Sequence, residues 1–146
     1  MRIVGMILAA SMAFAQAPQQ RPLRERLLES AQKGDAEAQF ELGKNYETGR
    51  IGLPKDFAQA RHWYEAAANQ GDPYALASLG ILYNFGKGVP KDLVEALMYY
   101  ELAVPRAQGG NRDSIVELRD DIEKDMTRPQ IDEAEKKAKE WKPAAH

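Results

Sequence analysis

Residues 34–49 read GDAEAQFELGKNYETG, and residues 71–86 read GDPYALASLGILYNFG. A shift of 37 aligns Gly34-Asp35 with Gly71-Asp72, Leu42-Gly43 with Leu79-Gly80, Tyr46 with Tyr83 and Gly49 with Gly86. Beyond that point the shift falls to 36, pairing Pro54-Lys55-Asp56 with Pro90-Lys91-Asp92, Ala60 with Ala96, Tyr64 with Tyr100 and Ala67 with Ala103. One extra residue therefore sits near Arg50-Ile51 in the first copy. A period of this length marks a supersecondary unit that cannot bury its apolar face alone and stacks on its neighbours.

Each unit spells two helices. Asp35 and Asp72 are placed to cap a helix, and Pro73 follows where its missing N–H costs nothing. Ala38, Leu42 and Tyr46, like Ala75, Leu79 and Tyr83, then recur at one-face helical spacing, and Gly49 and Gly86 end the runs. Asp56 and Asp92 open the second helices, with Gln59 and Glu95 three residues on, predicting two capping boxes. Phe57, Ala60, Tyr64 and Ala67 line one face of the first of these, and Leu93, Ala96, Tyr100 and Ala103 line one face of the other. Pro105 predicts an end or kink in the latter. Gly43 and Gly80 lie inside helices, where Gly costs about 1 kcal/mol against Ala, so their repetition points to close helix approach beside Tyr46 and Tyr64 or their counterparts.

Outward from the repeats, residues 22–33 echo the second helix of a unit and read as an N-terminal cap. Residues 109–126 restart a first-type helix without the Leu-Gly pair. Thr127-Arg128-Pro129-Gln130 is a further capping box, opening a helix over 127–142 with Ile131, Ala134, Ala138 and Trp141 on one side. Asp132 with Lys136, Glu133 with Lys137 and Glu135 with Lys139 are spaced to pair on its other side. Residues 143–146 are a polar tail. At the opposite end Arg2 precedes an apolar run that closes on Ala13-Phe14-Ala15, the pattern of a signal peptide over 1–15, followed by a flexible leader over 16–21. Export of a chain with no cysteine points to a bacterial periplasm, and no later segment is apolar enough for stable membrane insertion after cleavage.

The motif Ala-x-Ala-x-x-x-Leu-Gly-x-x-Tyr-x-x-Gly, a glycine loop ending in Asp, then Ala-x-x-Trp/Tyr-Tyr-x-x-Ala-Ala, resembles the Sel1-like repeat, a relative of the tetratricopeptide repeat. Residues 34–70 match almost throughout, and 71–108 match except at Pro105. The resemblance implies an all-α fold, a right-handed α-solenoid of helix-turn-helix repeats with capping helices. It also implies an exported, non-catalytic adaptor or regulator that binds a peptide or protein segment, with an envelope protein as the expected partner. First-type helices of such arrays form a concave wall, which would carry Tyr74, Ile81 and Phe85, with Glu37, Lys44 and Thr48 at the matching positions of the first repeat. Phe40 and Trp63 are expected nearby. Three large apolar groups on one short helix would form a patch suited to groove recognition.

Composition narrows the other classes. The 146 residues carry 20 Lys+Arg, 22 Asp+Glu and a net charge of -2, with both signs interspersed, leaving no footprint for nucleic acid or anionic lipid. Without cysteine there is no disulfide, thiolate metal site or thiol nucleophile. His62 has no second histidine at metal spacing, and His146 is in the tail. Gly86-Lys87-Gly88 lacks the spacing and Lys-Ser/Thr of a phosphate loop. Asp120, Asp121, Glu123 and Asp125 lack the turn glycine of a calcium loop. No cofactor or metal is expected, and a monomer is. The alternative class is an envelope hydrolase acting on β-lactams or peptidoglycan, for which no serine shows a nucleophile motif. A homo-oligomer built through open solenoid ends is a third, opposed by the altered caps.

Overall fold

A computed structural model of the chain describes residues 21–144. The signal-peptide segment, leader residues 16–20 and residues 145–146 lie outside the described residues. What is described is all-helical and without strands: α1 (Leu23–Gln32), α2 (Ala36–Thr48), α3 (Phe57–Ala68), α4 (Pro73–Phe85), α5 (Leu93–Ala103), a 3₁₀ turn (Val104–Arg106), α6 (Gly109–Glu123) and α7 (Arg128–Glu140). The helix expected to meet Pro105 ends at Ala103, and the proline sits in the 3₁₀ turn.

Local chemistry sets the helix starts. The Asp35 carboxylate accepts the Ala38 N–H at 2.8 Å, that of Asp72 accepts Ala75 at 2.7 Å, and that of Asp56 accepts Gln59 at 3.0 Å. Asp92 accepts both Val94 and Glu95 at 3.0 Å. Of the three expected capping boxes only Thr127–Gln130 closes in both directions. The other two stay half-made for a physical reason: the N–H that Gln59 or Glu95 would return to is already taken. Asp56 N–H donates to the Tyr46 carbonyl at 2.8 Å and Asp92 N–H to the Tyr83 carbonyl at 3.0 Å, so each cap residue is stitched to the preceding helix. Those preceding helices end on left-handed glycines, Gly49 at φ 69° and Gly86 at φ 63°.

Packing corrects the expected role of the helical glycines. An ideal Cβ at Gly43 would stand 2.6 Å from the Tyr64 ring, and one at Gly80 would stand 2.5 Å from the Tyr100 ring. The close approach is thus within a repeat, α2 on α3 and α4 on α5, with the tyrosine of the second helix as the filler; Tyr46 is not part of it. Stacking between repeats runs through α3 on α4 and a continuous core that includes Leu76, Leu79, Leu82 and Leu97, all fully buried. Each such leucine contributes about 1.5–3 kcal/mol of burial. A smaller N-terminal cluster of Ala31, Ala38, Leu42 and Leu53 is completed by Leu27, Leu28 and Trp63. Buried Gln39 ties this end together, donating to the Ala31 carbonyl at 3.1 Å and accepting from Gln70 at 2.9 Å.

Beyond the repeats the chain turns back. α6 and α7 both pack on α5, and Ala134 is fully buried with Ile131, Ala138 and Trp141 against the main core. Lys137 pairs with Glu95 of α5 in place of Glu133 on its own helix, and Asp132 pairs with Arg128 in place of Lys136. Tertiary reach decides the first: α7 lies on α5, so its lysine meets a carboxylate of that helix's first turn before a solvated neighbour four residues away; the second is an exchange of one i,i+4 partner for another within α7.

Candidate functional site

The wall expected from the repeat pattern is assembled from α2, α4 and α6. Tyr74 opens α4 and is 38% exposed; its ring centroid lies 5.9 Å from that of Phe40 on α2, and its hydroxyl accepts from the Asn111 amide of α6 at 3.2 Å. Phe40 in turn lies 5.8 Å from the buried Tyr64 ring, so the wall aromatics rest on the core. Three turns along α4, Phe85 is 64% exposed with the Lys87 ammonium 5.9 Å from its ring centroid. Ile81, between them, is half-buried and packed against the main core. The patch expected to be three exposed groups is therefore two exposed aromatics around a sunken isoleucine.

The matching positions of the first repeat are polar and bounded by ions. Lys44 lies 5.3 Å from the Phe40 ring centroid and pairs with Glu41 at 2.9 Å. The Thr48 hydroxyl is turned inward, donating to the Lys44 carbonyl at 2.8 Å. Glu37 is exposed and sits apart from the aromatics, on the rim of a cavity of about 320 Å³ between α1 and α2. Trp63 is not on the wall; it belongs to the N-terminal cluster. Lys87 also pairs with Glu47 at 3.6 Å, bridging the two repeats, while Glu47 accepts the Tyr64 hydroxyl at 2.7 Å. Burial first, and Glu47 second, hold the Tyr64 phenol far above the usual range. Burial pushes Tyr100 up to about 12, opposed by the nearby Asn84 side chain, and its hydroxyl makes no hydrogen bond of good geometry. Both rings are thus neutral packing groups.

Sequence reasoning missed Asn111 and Lys87. Asn111 was hidden because α6 begins at Gly109 with Gln108 before it and lacks the capping aspartate of the repeats, so the two-repeat spacing does not say which of its residues reaches Tyr74. Lys87 was legible only as part of a glycine loop.

Groups that could carry chemistry are dispersed. His62 is exposed and lies edge-on to Trp63 at 5.1 Å between centroids. Asp120 and Asp121 pair with Arg119 and Lys124, as a solvated face does. Among the described residues no set of three or more His, Asp or Glu side chains could hold a metal, and no helix is long and apolar enough to cross a membrane.

The pattern of hairpins has a counterpart in known proteins. The Sel1 repeat family model matches residues 36–72 and 73–104. The chain carries two Sel1 repeats. A protective antigen of uropathogenic Escherichia coli strains, whose crystal structure displays an SLR fold, is similar over 80% of this chain and 24% of its own, with a TM-score of 0.71 and 31% identity. A Sel1 repeat protein from Oxalobacter formigenes is similar over 57% of this chain and 34% of its own, with a TM-score of 0.55 and 33% identity. An ERAD-associated E3 ubiquitin-protein ligase component, HRD3A of Arabidopsis thaliana, is 40% identical over 58 residues, 40% of this chain and 9% of that protein. The chitin synthase regulator SKT5 of Malassezia restricta is 35% identical over 81 residues, 54% of this chain and 6% of that protein. The chain thus spans about a tenth or less of these two curated relatives. Sel1 repeats bind protein partners, and their fold is generally a non-catalytic interaction scaffold.

Proposed function

We propose that this Sel1-repeat chain is an exported, non-catalytic adaptor or regulator of the bacterial envelope that holds a peptide or protein segment against the wall of α2, α4 and α6. The observation that carries the reading is the exposure of Tyr74 and Phe85 on one helix, with Phe40 and Asn111 extending the line to both neighbouring helices. Large exposed aromatics on a rigid helical face are the residue type that dominates binding energy at interfaces. Export and a periplasmic location are supported by the segment Met1–Ala15, with cleavage after Ala15 the expected event. HRD3A, a ligase component, and SKT5, a chitin synthase regulator, accord with a protein that acts through another.

Capture from envelope extract tests it. Tyr74→Ala with Phe85→Ala is expected to weaken partner retention at least 30-fold, since one hot-spot aromatic is worth about 2 kcal/mol or more. Helical content and melting temperature should stay nearly unchanged, because neither side chain is in the core. Equal retention by the double variant refutes the wall assignment. Recovery of the chain only from the cytoplasmic fraction, with its first 15 residues intact, refutes export.

A further inference from the structure

The helix α7 stops at Glu140, and Trp141 turns the backbone out with φ -62° and ψ 132°, an extended conformation. The following residues run past the C-terminal turn of α3 and Tyr99 of α5. The Ala144 N–H donates to the Asn69 side-chain oxygen of α3's C-terminal turn at 3.0 Å, a bond spanning 75 residues. Trp141, Lys142 and Ala144 line an open cavity of about 310 Å³ together with Glu65, Ala68, Asn69, Leu79 and Tyr99. Tyr99 is itself stacked on Tyr83 at 5.8 Å between centroids, so it is a fixed aromatic platform. Trp141 is half-buried there with the Arg106 guanidinium 5.9 Å from its ring centroid.

These contacts describe an extended peptide held against helices: an aromatic anchor, and three residues on a backbone N–H captured by an amide side chain. Lys142, Pro143 and Ala144 are exposed, and the segment leaves the cavity beside it unfilled. A strap fastened by one ring and one exposed hydrogen bond is exchangeable. We propose that the surface formed by the C-terminal half of α3 and by α5 is a second binding surface, for extended segments that place an aromatic residue three positions before a free backbone N–H, and that residues 141–144 cover it in cis. Tethering gives the strap an effective concentration in the millimolar range, so a partner segment in trans binds weakly until the strap is lifted.

The probe is a labelled, end-blocked peptide with the sequence of residues 139–144, followed by fluorescence anisotropy against the full chain. Trp141→Ala with Ala144→Pro removes the ring and the donated N–H and is expected to tighten peptide binding at least tenfold over the wild-type chain. Adding Asn69→Ala should cancel that gain, whereas adding Tyr74→Ala and Phe85→Ala on the wall should not. Equal binding to the wild-type and strap-released chains, no binding to either, or a gain that survives Asn69→Ala would overturn the proposal. If the double variant loses helical content, Ala144→Pro alone, which removes only the donated N–H of an exposed residue, should still tighten peptide binding, by less than the double variant, and no tightening by it would overturn the proposal.

Discussion

Replacing Gly80 by alanine places a methyl group 2.5 Å from Cε1 and 2.7 Å from Cδ1 of Tyr100. Carbon atoms settle about 3.5–4.0 Å apart, so the ring would have to move by roughly 1 Å. Tyr100 is fully buried and cannot swing into solvent. Overpacking of this kind costs about 1–3 kcal/mol. Against it stands the helix propensity that alanine brings, about 1 kcal/mol in a helix interior. The balance is a variant between about 0 and 2 kcal/mol less stable than wild type, where an unpacked helical glycine would give a gain. Gly110→Ala is the control, because an added Cβ there meets nothing within 4 Å. Urea denaturation followed by helical circular dichroism reads both. The reasoning is refuted if Gly80→Ala is as stabilising as Gly110→Ala. Tyr100→Leu in the Gly80→Ala background should cost less than in wild type, since the two changes share one contact.

The two equivalent tyrosines differ in their partner, and the difference is measurable: Tyr64→Phe loses a hydrogen bond to the Glu47 carboxylate and should cost about 1.5–3 kcal/mol, while Tyr100→Phe removes a hydroxyl with only a poorly aligned Asn84 side chain beside it and should cost about 0.5 kcal/mol or less in thermal melts. Asn84→Glu places at the Glu47-equivalent position of the second repeat the residue type that accepts from Tyr64 in the first; it should raise stability by about 1 kcal/mol, and the rise should vanish in a Tyr100→Phe background. Burial, opposed by Arg119, raises the Glu101 carboxyl above its ordinary value, so the folded state binds that proton more tightly than the unfolded state and this group's contribution to stability rises as pH falls through the raised value. Glu101→Gln should therefore raise the calorimetric melting temperature near neutral pH, with the gain shrinking below the usual carboxylate range; a loss near neutral pH would mean that pairing with Arg119 outweighs burial.

What the sequence made legible was chemistry within a few residues of itself. The aspartates at 35, 56, 72 and 92 cap because an N-cap bond spans three residues, and Gly49 and Gly86 end helices because the left-handed turn is set at one position. Repetition then carried that local knowledge to the wall, placing Phe40, Tyr74 and Phe85 on neighbouring first-type helices. Features outside the repetition were not legible in the same way. Trp63 was expected near the wall and lies in the N-terminal cluster, because helical spacing gives a direction but not the neighbour that fills it. The strap at residues 141–144, the Lys137 to Glu95 pair and the reach of Asn111 to Tyr74 depend on how α6 and α7 turn back after the 3₁₀ turn, a junction that occurs once and so has no second copy to be read against.

The central claim is that a partner protein lies against the wall of α2, α4 and α6. Site-specific photo-crosslinking in intact cells tests it most directly, with a photoreactive phenylalanine analogue placed in turn at Tyr74, at Phe85 and at exposed Ala58 of α3. The expected result is a discrete adduct from the first two positions and none from Ala58. Adducts from Ala58 alone, or equally from all three positions, would contradict it.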